Sequence, residues 1–372
     1  MTESKNKKIS ERTRRSAEKG NPRAQTELGL WYEDVKKDPD EALKWYKAAA
    51  EQGYAYAQYL LGFHYYSHSY GVDKSKREAA KWFRKAAEHE FSPAQFMLGE
   101  WYMYGFPPVK KNEKLAVRWY KKAAKQYNEE AAYCLSLYYG NPENPYKDSK
   151  KSFYWLDLAG HYGHVEAQKE LAISYLEGWW NVEKSMTKAI EWLEKAAKQD
   201  DGWSQFYLGY YYYFGIGVKQ DCSMALQWLT TAANNEQMEA CHFLGHCYYK
   251  GLGVEKDDGK ALDWFVKAHN LPKQELNHLN VIYENEDVSL DEIKEKAKQG
   301  DSEAQCIIGY RCYASQKMDE AYKWLHLSAE QNYMSAQQYL GYCYYAGLGV
   351  NKNDSEALKW FDKATIQLLD LE

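Results

Sequence analysis

The chain has 372 residues, of which 45% are hydrophobic and 16% aromatic, so it has enough apolar surface to exclude disorder over most of its length. Its formal net charge of -5 at pH 7 provides no general attraction to nucleic acid or anionic lipid, whose binders usually carry a strong basic bias. No stretch approaches the roughly 18 apolar residues of a membrane span, and the first residues lack the apolar core of a secretory signal. We therefore expect no nucleic-acid partner, no membrane insertion and a cytoplasmic location.

The seven cysteines support the same expectation about compartment. Their number is odd, and they follow no regular spacing along the chain. Such a pattern is typical of reduced, buried thiols and not of a disulfide framework.

The first 20 residues differ from everything that follows. They are rich in Lys and Arg, and they end at Gly20. We expect residues 1–20 to form a basic N-terminal segment and a capping helix, because the first unit of a repeat array needs a polar outer face.

Tryptophan then recurs at the spacing of a helical repeat. Seven of the tryptophans follow one another at intervals of 36 or 37 residues, and Trp324 and Trp360 repeat the interval of 36. The seven are Trp45, Trp82, Trp119, Trp155, Trp192, Trp228 and Trp264. A period in this range predicts an array of stacked helical units. These tryptophans belong to segments such as EALKWYKAAAEQG and KAIEWLEKAAKQD, whose apolar residues recur every three or four positions. We call this segment helix B.

A second signature lies between the tryptophans. It reads A-Q-x-x-L-G-x-x-Y, as at Ala94 to Tyr102 and Ala336 to Tyr344, and its spacing places Ala, Leu and Tyr on one helical stripe. The glycine beside Leu allows a neighbouring helix to approach closely. We call this segment helix A.

Three of the connections from helix A to helix B carry a G-x-G-V turn, beginning at Gly215, Gly251 and Gly347. A phosphate-binding loop would need a preceding strand and a third glycine, and neither is present. The glycines instead indicate positive backbone dihedrals at the end of helix A.

These three features agree in phase and resemble the Sel-1-like repeat, a member of the tetratricopeptide superfamily, over about residues 20 to 368. The resemblance implies an all-α fold, a right-handed α-solenoid superhelix of about ten antiparallel helix pairs. It also implies a role as a non-enzymatic, often bacterial, adaptor or scaffold in signalling, secretion or host contact.

The regular pattern fails most clearly over residues 271–300, which lack both the glycine turn and the tryptophan. We expect regular repeats over 21–270, a degenerate repeat and possible hinge over 271–300, and repeats with a C-terminal capping helix over 301–372.

The sequence offers little sign of chemistry. His242 and His246 lie four residues apart on one helical face, but two ligands do not make a metal site, and a third would have to come from a position such as His278 or Cys306. No catalytic motif for acyl transfer, zinc hydrolysis or phosphate binding is present. We therefore expect no enzyme activity, no metal and no cofactor.

The predicted function is binding of a partner protein or peptide in a concave groove lined by helices A. Tyrosine supplies large contact area at low entropic cost, and aromatic residues are enriched at the helix A positions away from the Leu-Gly-Tyr stripe. The candidate binding residues are Tyr59, Phe63, Tyr66, Phe96, Tyr133, Phe206, Tyr210, Tyr213, His242, His246, Tyr249, Tyr310, Tyr313, Tyr342 and Tyr345. Aromatic residues at helical spacing also form cores, so about half of them are expected to be structural.

Within this set we expect Phe206, Tyr210 and Tyr213 to be a binding hot spot. Two alternative functions remain open at this stage. One is an immunity protein that neutralises a toxin or effector enzyme, and the other is a protein that binds glycan or peptidoglycan through its aromatic side chains. The sequence leaves the oligomeric state and the partner's identity undetermined.

Overall fold

A computed structural model describes residues 9–67, 73–270 and 290–369. Over these ranges the chain is helical and contains no strand, as the sequence periodicity predicts. The contacts divide it into two compact units, Met1–Lys184 and Ser185–Glu372. Most of the predicted hinge over 271–300, together with His278, lies outside the described residues. None of the described helices is both long and apolar enough to cross a membrane.

The first unit contains ten α-helices among its described residues, with a π-helical turn at Tyr32–Lys36 and a 3-10 turn at Trp179–Asn181. The first of them, α1, lies within the predicted basic N-terminal segment over residues 1–20. The helices are α1 (Glu11–Glu18), α2 (Pro22–Trp31), α3 (Pro39–Glu51), α4 (Ala55–Ser67), α5 (Asp73–Glu88), α6 (Ser92–Tyr104), α7 (Glu113–Ala124), α8 (Glu129–Gly140), α9 (Ser149–Tyr162) and α10 (Val165–Glu177).

The described part of the second unit also contains ten α-helices. They are α11 (Met186–Ala197), α12 (Gly202–Phe214), α13 (Cys222–Asn234), α14 (Met238–Lys250), α15 (Asp258–Asn270), α16 (Leu290–Lys298), α17 (Ser302–Ala314), α18 (Met318–Glu330), α19 (Met334–Ala346) and α20 (Asp354–Leu369). In both units a helix A packs against the helix B that follows it, as α6 does against α7 and α12 against α13.

Where helix A carries a glycine after its Leu, that glycine marks a close approach within the pair, whereas α8 and α10 carry Ser136 and Ala172 at this position. A Cβ atom at Gly99 would lie 2.4 Å from ring carbons of Tyr120, and one at Gly62 would lie 2.8 Å from the ring of Phe83. The predicted close approach is therefore confirmed. The partner is the large residue directly after each tryptophan, a position that the sequence analysis did not single out.

The glycine turns also behave as predicted. Gly215, Gly251 and Gly347 follow their helices A with φ values of 68°, 72° and 69°. A residue with a Cβ adopts this left-handed conformation only at a cost, which explains the glycine at the end of these helices.

The tryptophans lie at the edge of the core and not at its centre. Trp192 is 6% exposed, and the ammonium group of Lys195 lies 3.5 Å from the centroid of its ring. The same arrangement of a lysine three residues after the tryptophan recurs at Trp82 and Trp360, at 4.1 Å and 4.3 Å. A cation over an aromatic face is attracted by the ring quadrupole, so these lysines cover rings that would otherwise face solvent.

Buried glutamines connect successive pairs. Gln95 Nε2 on α6 donates to the carbonyl of Ala87 at the end of α5, at 3.1 Å, and Gln95 Oε1 accepts from Gln126 Nε2 just beyond α7, at 2.9 Å. Gln305 makes the equivalent bonds to Ala297 and Gln331. The glutamine thus gives a second donor to a carbonyl at a helix end, which also accepts from the backbone N–H of Glu90 or Gly300, and it fixes the register between pairs.

Candidate partner-binding surface

The fifteen predicted binding residues differ widely in exposure. Phe63 and Tyr66 on α4 are exposed. Phe206, His242 and His246 are buried. The remaining ten are half-buried, namely Tyr59, Phe96, Tyr133, Tyr210, Tyr213, Tyr249, Tyr310, Tyr313, Tyr342 and Tyr345.

The exposed residues form one continuous aromatic patch in the first unit. Phe63 and Tyr66 are 42% and 41% exposed, and their ring centroids lie 6.4 Å apart. Tyr66 contacts the buried ring of Trp101 on α6 at 5.7 Å, and Phe63 contacts Tyr59 at 6.2 Å. The exposed rings are therefore supported from below by core aromatics and present their outer faces to solvent.

A pocket of about 460 Å³ lies between α6 and α8 in the same unit. Tyr104 and Leu137 line it and are 65% and 50% exposed. Glu113 and Glu143 contribute carboxylates to its wall, and Lys111 contributes an ammonium group. Aromatic and apolar side chains line the pocket together with polar ones, so both kinds of contact are available to a bound side chain.

Sequence reasoning missed Tyr104 and Leu137. Leu137 directly follows Ser136, which replaces the helix A glycine in this repeat. Phe63 and Tyr210 occupy the same position in other repeats, so aligning the repeats would have identified Leu137. Tyr104 is the last residue of α6, where the helical stripe no longer predicts which way a side chain faces.

Carboxylates hold two tyrosines of the first unit, the half-buried Tyr133 and the fully buried Tyr120. The hydroxyl of Tyr133 donates to Glu170 Oε1 at 2.6 Å, and its ring stacks on His164 with a centroid distance of 4.1 Å. The hydroxyl of Tyr120 donates to Glu100, beside the pocket. Burial, followed by the hydrogen bond to the carboxylate, raises the pKa of both phenols above their ordinary value. These tyrosines are therefore fixed in position, and their hydroxyls donate within the protein.

Cys134 lies in the wall of the same pocket. Burial, and then the nearby carboxylate of Glu100, raises the pKa of its thiol to about 12. The thiol is therefore protonated at neutral pH and is a weak nucleophile.

In the second unit, the predicted binding positions on α14 face another helix of the same unit. His246 Nδ1 lies 2.6 Å from Asp362 Oδ1 on α20, and Lys250 Nζ lies 2.9 Å from Asp362 Oδ2. His242, which is 2% exposed, approaches Thr365 Oγ1 at 3.2 Å and Gln338 Nε2 at 3.3 Å. Both histidines thus make internal contacts between α14 and the C-terminal pair α19–α20.

Aromatic stacking extends this internal interface. The ring of His269 stacks on Tyr342 with centroids 4.0 Å apart, and Phe265 stacks on Phe361 at 5.3 Å. The predicted residues Tyr249, Tyr342 and Tyr345 pack against the same apolar cluster. Their half-burial therefore arises from contacts within the unit.

The predicted hot spot is also partly internal. Phe206 belongs to an apolar cluster with Phe243 and Leu369, the last residue of α20. Tyr213 contacts Phe243 at 5.0 Å, and burial raises the pKa of its phenol to about 12. Tyr210 lies 6.2 Å from the same ring. The three side chains are brought together as predicted, but they pack on the core more than they face solvent.

His242 and His246 were also considered as metal ligands in the sequence. In the structure each faces a hydrogen-bonding partner on α19 or α20, and Cys241 and Cys247 are buried beside them. Across residues 9–67, 73–270 and 290–369, no three His, Cys, Asp or Glu side chains are grouped as metal ligands would be.

Paired helices with this glycine packing, stacked in phase along the chain, define a helical repeat protein of the solenoid class. The chain belongs to the Sel1 repeat family. The family model matches nine repeats, at residues 22–54, 55–91, 92–128, 129–163, 165–201, 204–236, 239–270, 302–333 and 335–367. Proteins of this family generally mediate protein–protein interactions, and the repeat is generally a non-catalytic scaffold.

Solved structures agree with this assignment. A protective antigen of uropathogenic Escherichia coli with an SLR fold is 28% identical, with a TM-score of 0.62, and the match covers 96% of this chain and 79% of that chain. A Sel1 repeat protein from Oxalobacter formigenes is 26% identical, with a TM-score of 0.50 and 93% coverage of both chains.

More remote likenesses carry no argument about function. An immunity protein from Pseudomonas aeruginosa matches with 20% identity and a TM-score of 0.30, over 51% of this chain and 72% of that chain. A comparison with curated protein sequences found no match.

Proposed function

We propose that this chain is an interaction scaffold that binds a partner protein or peptide at the helix A surface of its first unit. The contact surface consists of Phe63 and Tyr66 on α4, with Tyr104 and Leu137 at the pocket between α6 and α8. The observation that carries the proposal is the exposure of Phe63 and Tyr66, side by side and supported by Trp101.

Exposed large aromatics grouped in this way are uncommon on surfaces that face only water. Single exposed apolar side chains are ordinary, whereas contiguous apolar patches mark interaction sites. Tyr and Phe are enriched where proteins meet, because their rings bury large areas with few rotatable bonds. The neighbouring pocket of about 460 Å³ provides space for an anchoring side chain of the partner.

The packing within the second unit is a reason to place the partner-binding surface on the first unit. The equivalent positions on its α14 are occupied by contacts with α20, so they have little free area for a partner. We keep Tyr210 and Tyr213 as secondary contact residues, since they are half-buried at the edge of the apolar cluster that contains Phe206 and Phe243.

The test is affinity capture with the full chain, followed by mass spectrometry and a titration of the captured partner against purified variants. We expect Phe63→Ala with Tyr66→Ala to weaken partner binding by at least about tenfold, the usual effect of removing hot-spot aromatics. The circular dichroism spectrum should remain helical.

A matched control uses exposed tyrosines away from this surface. Tyr127 follows α7 and Tyr154 lies on α9, a helix B, and both are more exposed than Phe63. Tyr127→Ala with Tyr154→Ala should leave binding unchanged. The proposal fails if this control variant loses binding and the Phe63/Tyr66 variant does not.

The same capture separates the two alternatives. A toxin or effector enzyme as the main captured protein, inhibited by the chain, would support an immunity role. Retention on peptidoglycan that is lost in the Phe63/Tyr66 variant, with no captured protein, would support glycan binding and overturn the protein-scaffold proposal.

A further inference from the structure

A cleft on the first unit is lined by six positively charged side chains. It has a volume of about 690 Å³ and lies between α5 and the segment that follows α6. Glu88 is the one carboxylate among the described residues that line it. The cations are Arg77, Lys81, Arg84, Lys85, Lys110 and Lys111.

A second cleft, of about 530 Å³, lies between α7 and the segment that follows α8. Its cations are Lys114, Arg118, Lys147 and Lys151. Asp148 is the carboxylate on its wall, and it pairs with Lys151 at 2.8 Å.

The two clefts occupy the same place in successive repeats. Lys114 follows Arg77 by 37 residues, and the same step relates Lys81 to Arg118 and Lys110 to Lys147. An aromatic side chain is also repeated, as Tyr102 in the first cleft and Tyr139 in the second. Two neighbouring repeats therefore carry positive side chains at the same positions.

The existing ion pairs leave this charge available. Lys81 lies 3.6 Å from Glu78 and Lys111 lies 2.8 Å from Glu113, but the four side chains are all substantially exposed. Exposed pairs of this kind contribute little free energy, so an incoming carboxylate can replace them. Arg84 donates to the hydroxyl of Tyr102 at 3.3 Å, which holds its guanidinium at the cleft.

We infer that the two clefts together bind an extended acidic segment of a partner protein. The clefts share Lys111 and Tyr138 with the lining of the pocket between α6 and α8. They include none of Phe63, Tyr66, Tyr104 and Leu137, so the inference stands independently of the proposed function above. Neighbouring packed helices are separated by about 8–10 Å, which places α7 at most about 20 Å from α5 across α6. An extended chain spans that distance in about six residues.

A peptide suits these clefts better than a nucleic acid does. Each nucleic-acid strand presents a phosphate about every 3.4 Å and needs a continuous run of cations. Here Glu88 and Asp148 interrupt the run, Glu113 pairs with Lys111, and the chain as a whole carries a net charge of -5. A peptide places Asp or Glu opposite the cations and neutral residues opposite those carboxylates.

The test measures fluorescence anisotropy of a labelled ten-residue polyglutamate peptide titrated with the full chain at low salt. Arg77→Glu with Arg118→Glu changes one exposed cation in each cleft, at helical positions that glutamate tolerates well. We expect this variant to weaken peptide binding by at least about tenfold, and added salt to weaken the wild type progressively.

Two controls make the result specific. Lys44→Glu with Lys323→Glu causes the same change in net charge at exposed helix B positions outside the clefts, and it should retain binding. Phe63→Ala with Tyr66→Ala should also retain it, which separates this site from the aromatic surface. The inference is overturned if the two charge-reversal variants behave alike, if polyglutamate does not bind, or if single-stranded oligothymidylate of matched charge binds more tightly.

Discussion

The imidazole of His246 on α14 and the carboxylate of Asp362 on α20 lie 2.6 Å apart, although 116 residues separate them in the chain. Lys250 completes the group from the same face of α14. A helix of the last repeat therefore contacts a helix of an earlier repeat, with the C-terminal pair packed beside it.

The first prediction concerns this contact. Asp362→Asn removes the charge that His246 and Lys250 share, and we expect it to lower the free energy of unfolding by about 1–2 kcal/mol, because a buried polar group loses a partner. Glu356→Gln is the matched control on α20, since its bond to Lys359 is exposed and is worth less than about 0.5 kcal/mol. Urea unfolding measures both variants, and equal midpoints would contradict the prediction.

The second prediction concerns the closest helix approach. Gly99→Ala would place a methyl group 2.4 Å from Tyr120, so the two helices must separate or the ring must move. We expect a loss of about 1–3 kcal/mol, which is typical of overpacking. Gly259→Ala meets only an ordinary contact, at 3.4 Å from Asp257, and should change stability by less than about 1 kcal/mol. Thermal unfolding followed by circular dichroism compares them.

The third prediction concerns the thiols. Burial is the leading cause that raises the pKa of Cys134, Cys247 and Cys343 from 9.0 to about 12. At pH 8 they should therefore react with a disulfide reagent far more slowly in the folded chain than after unfolding, as mass spectrometry of labelled peptides would show. Rapid labelling of Cys247 in the folded chain would contradict the prediction.

The same rise in thiol pKa determines whether the free energy of unfolding rises or falls with pH. Since the folded state holds the thiol proton more tightly, the stabilising contribution is complete below about pH 9 and declines as the pH rises toward 12. The urea midpoint should therefore be lower at pH 10.5 than at pH 8.

The repeat itself could be predicted from the sequence because its signals are local. The Ala and Leu of helix A, the glycine after Leu and the turns at Gly215 and Gly251 are each dictated by contacts within one helix pair or by one backbone dihedral. Helical periodicity reports such relations directly.

The contact between His246 and Asp362 could not be predicted in this way. Periodicity shows that a helix face is apolar or aromatic, but it does not show which distant helix covers it. The exposed Phe63 and the half-buried Tyr210 therefore look alike in the sequence, as aromatics at equivalent positions on helices A. The basic clefts were missed for a similar reason, because helix B lysines and arginines are ordinary surface residues until the next connection folds beside them.

The packing of α20 on α14 changes how the second unit can unfold. In a linear repeat array each pair touches only its neighbours, so end pairs can fray or be deleted while the rest stays folded. Here the last helix is tied to an earlier one, and fraying from that end must also break the contacts of α14. We therefore expect the second unit to melt in a single cooperative step. Its folding should also be slower than that of an open array, because it must close a loop of more than 100 residues.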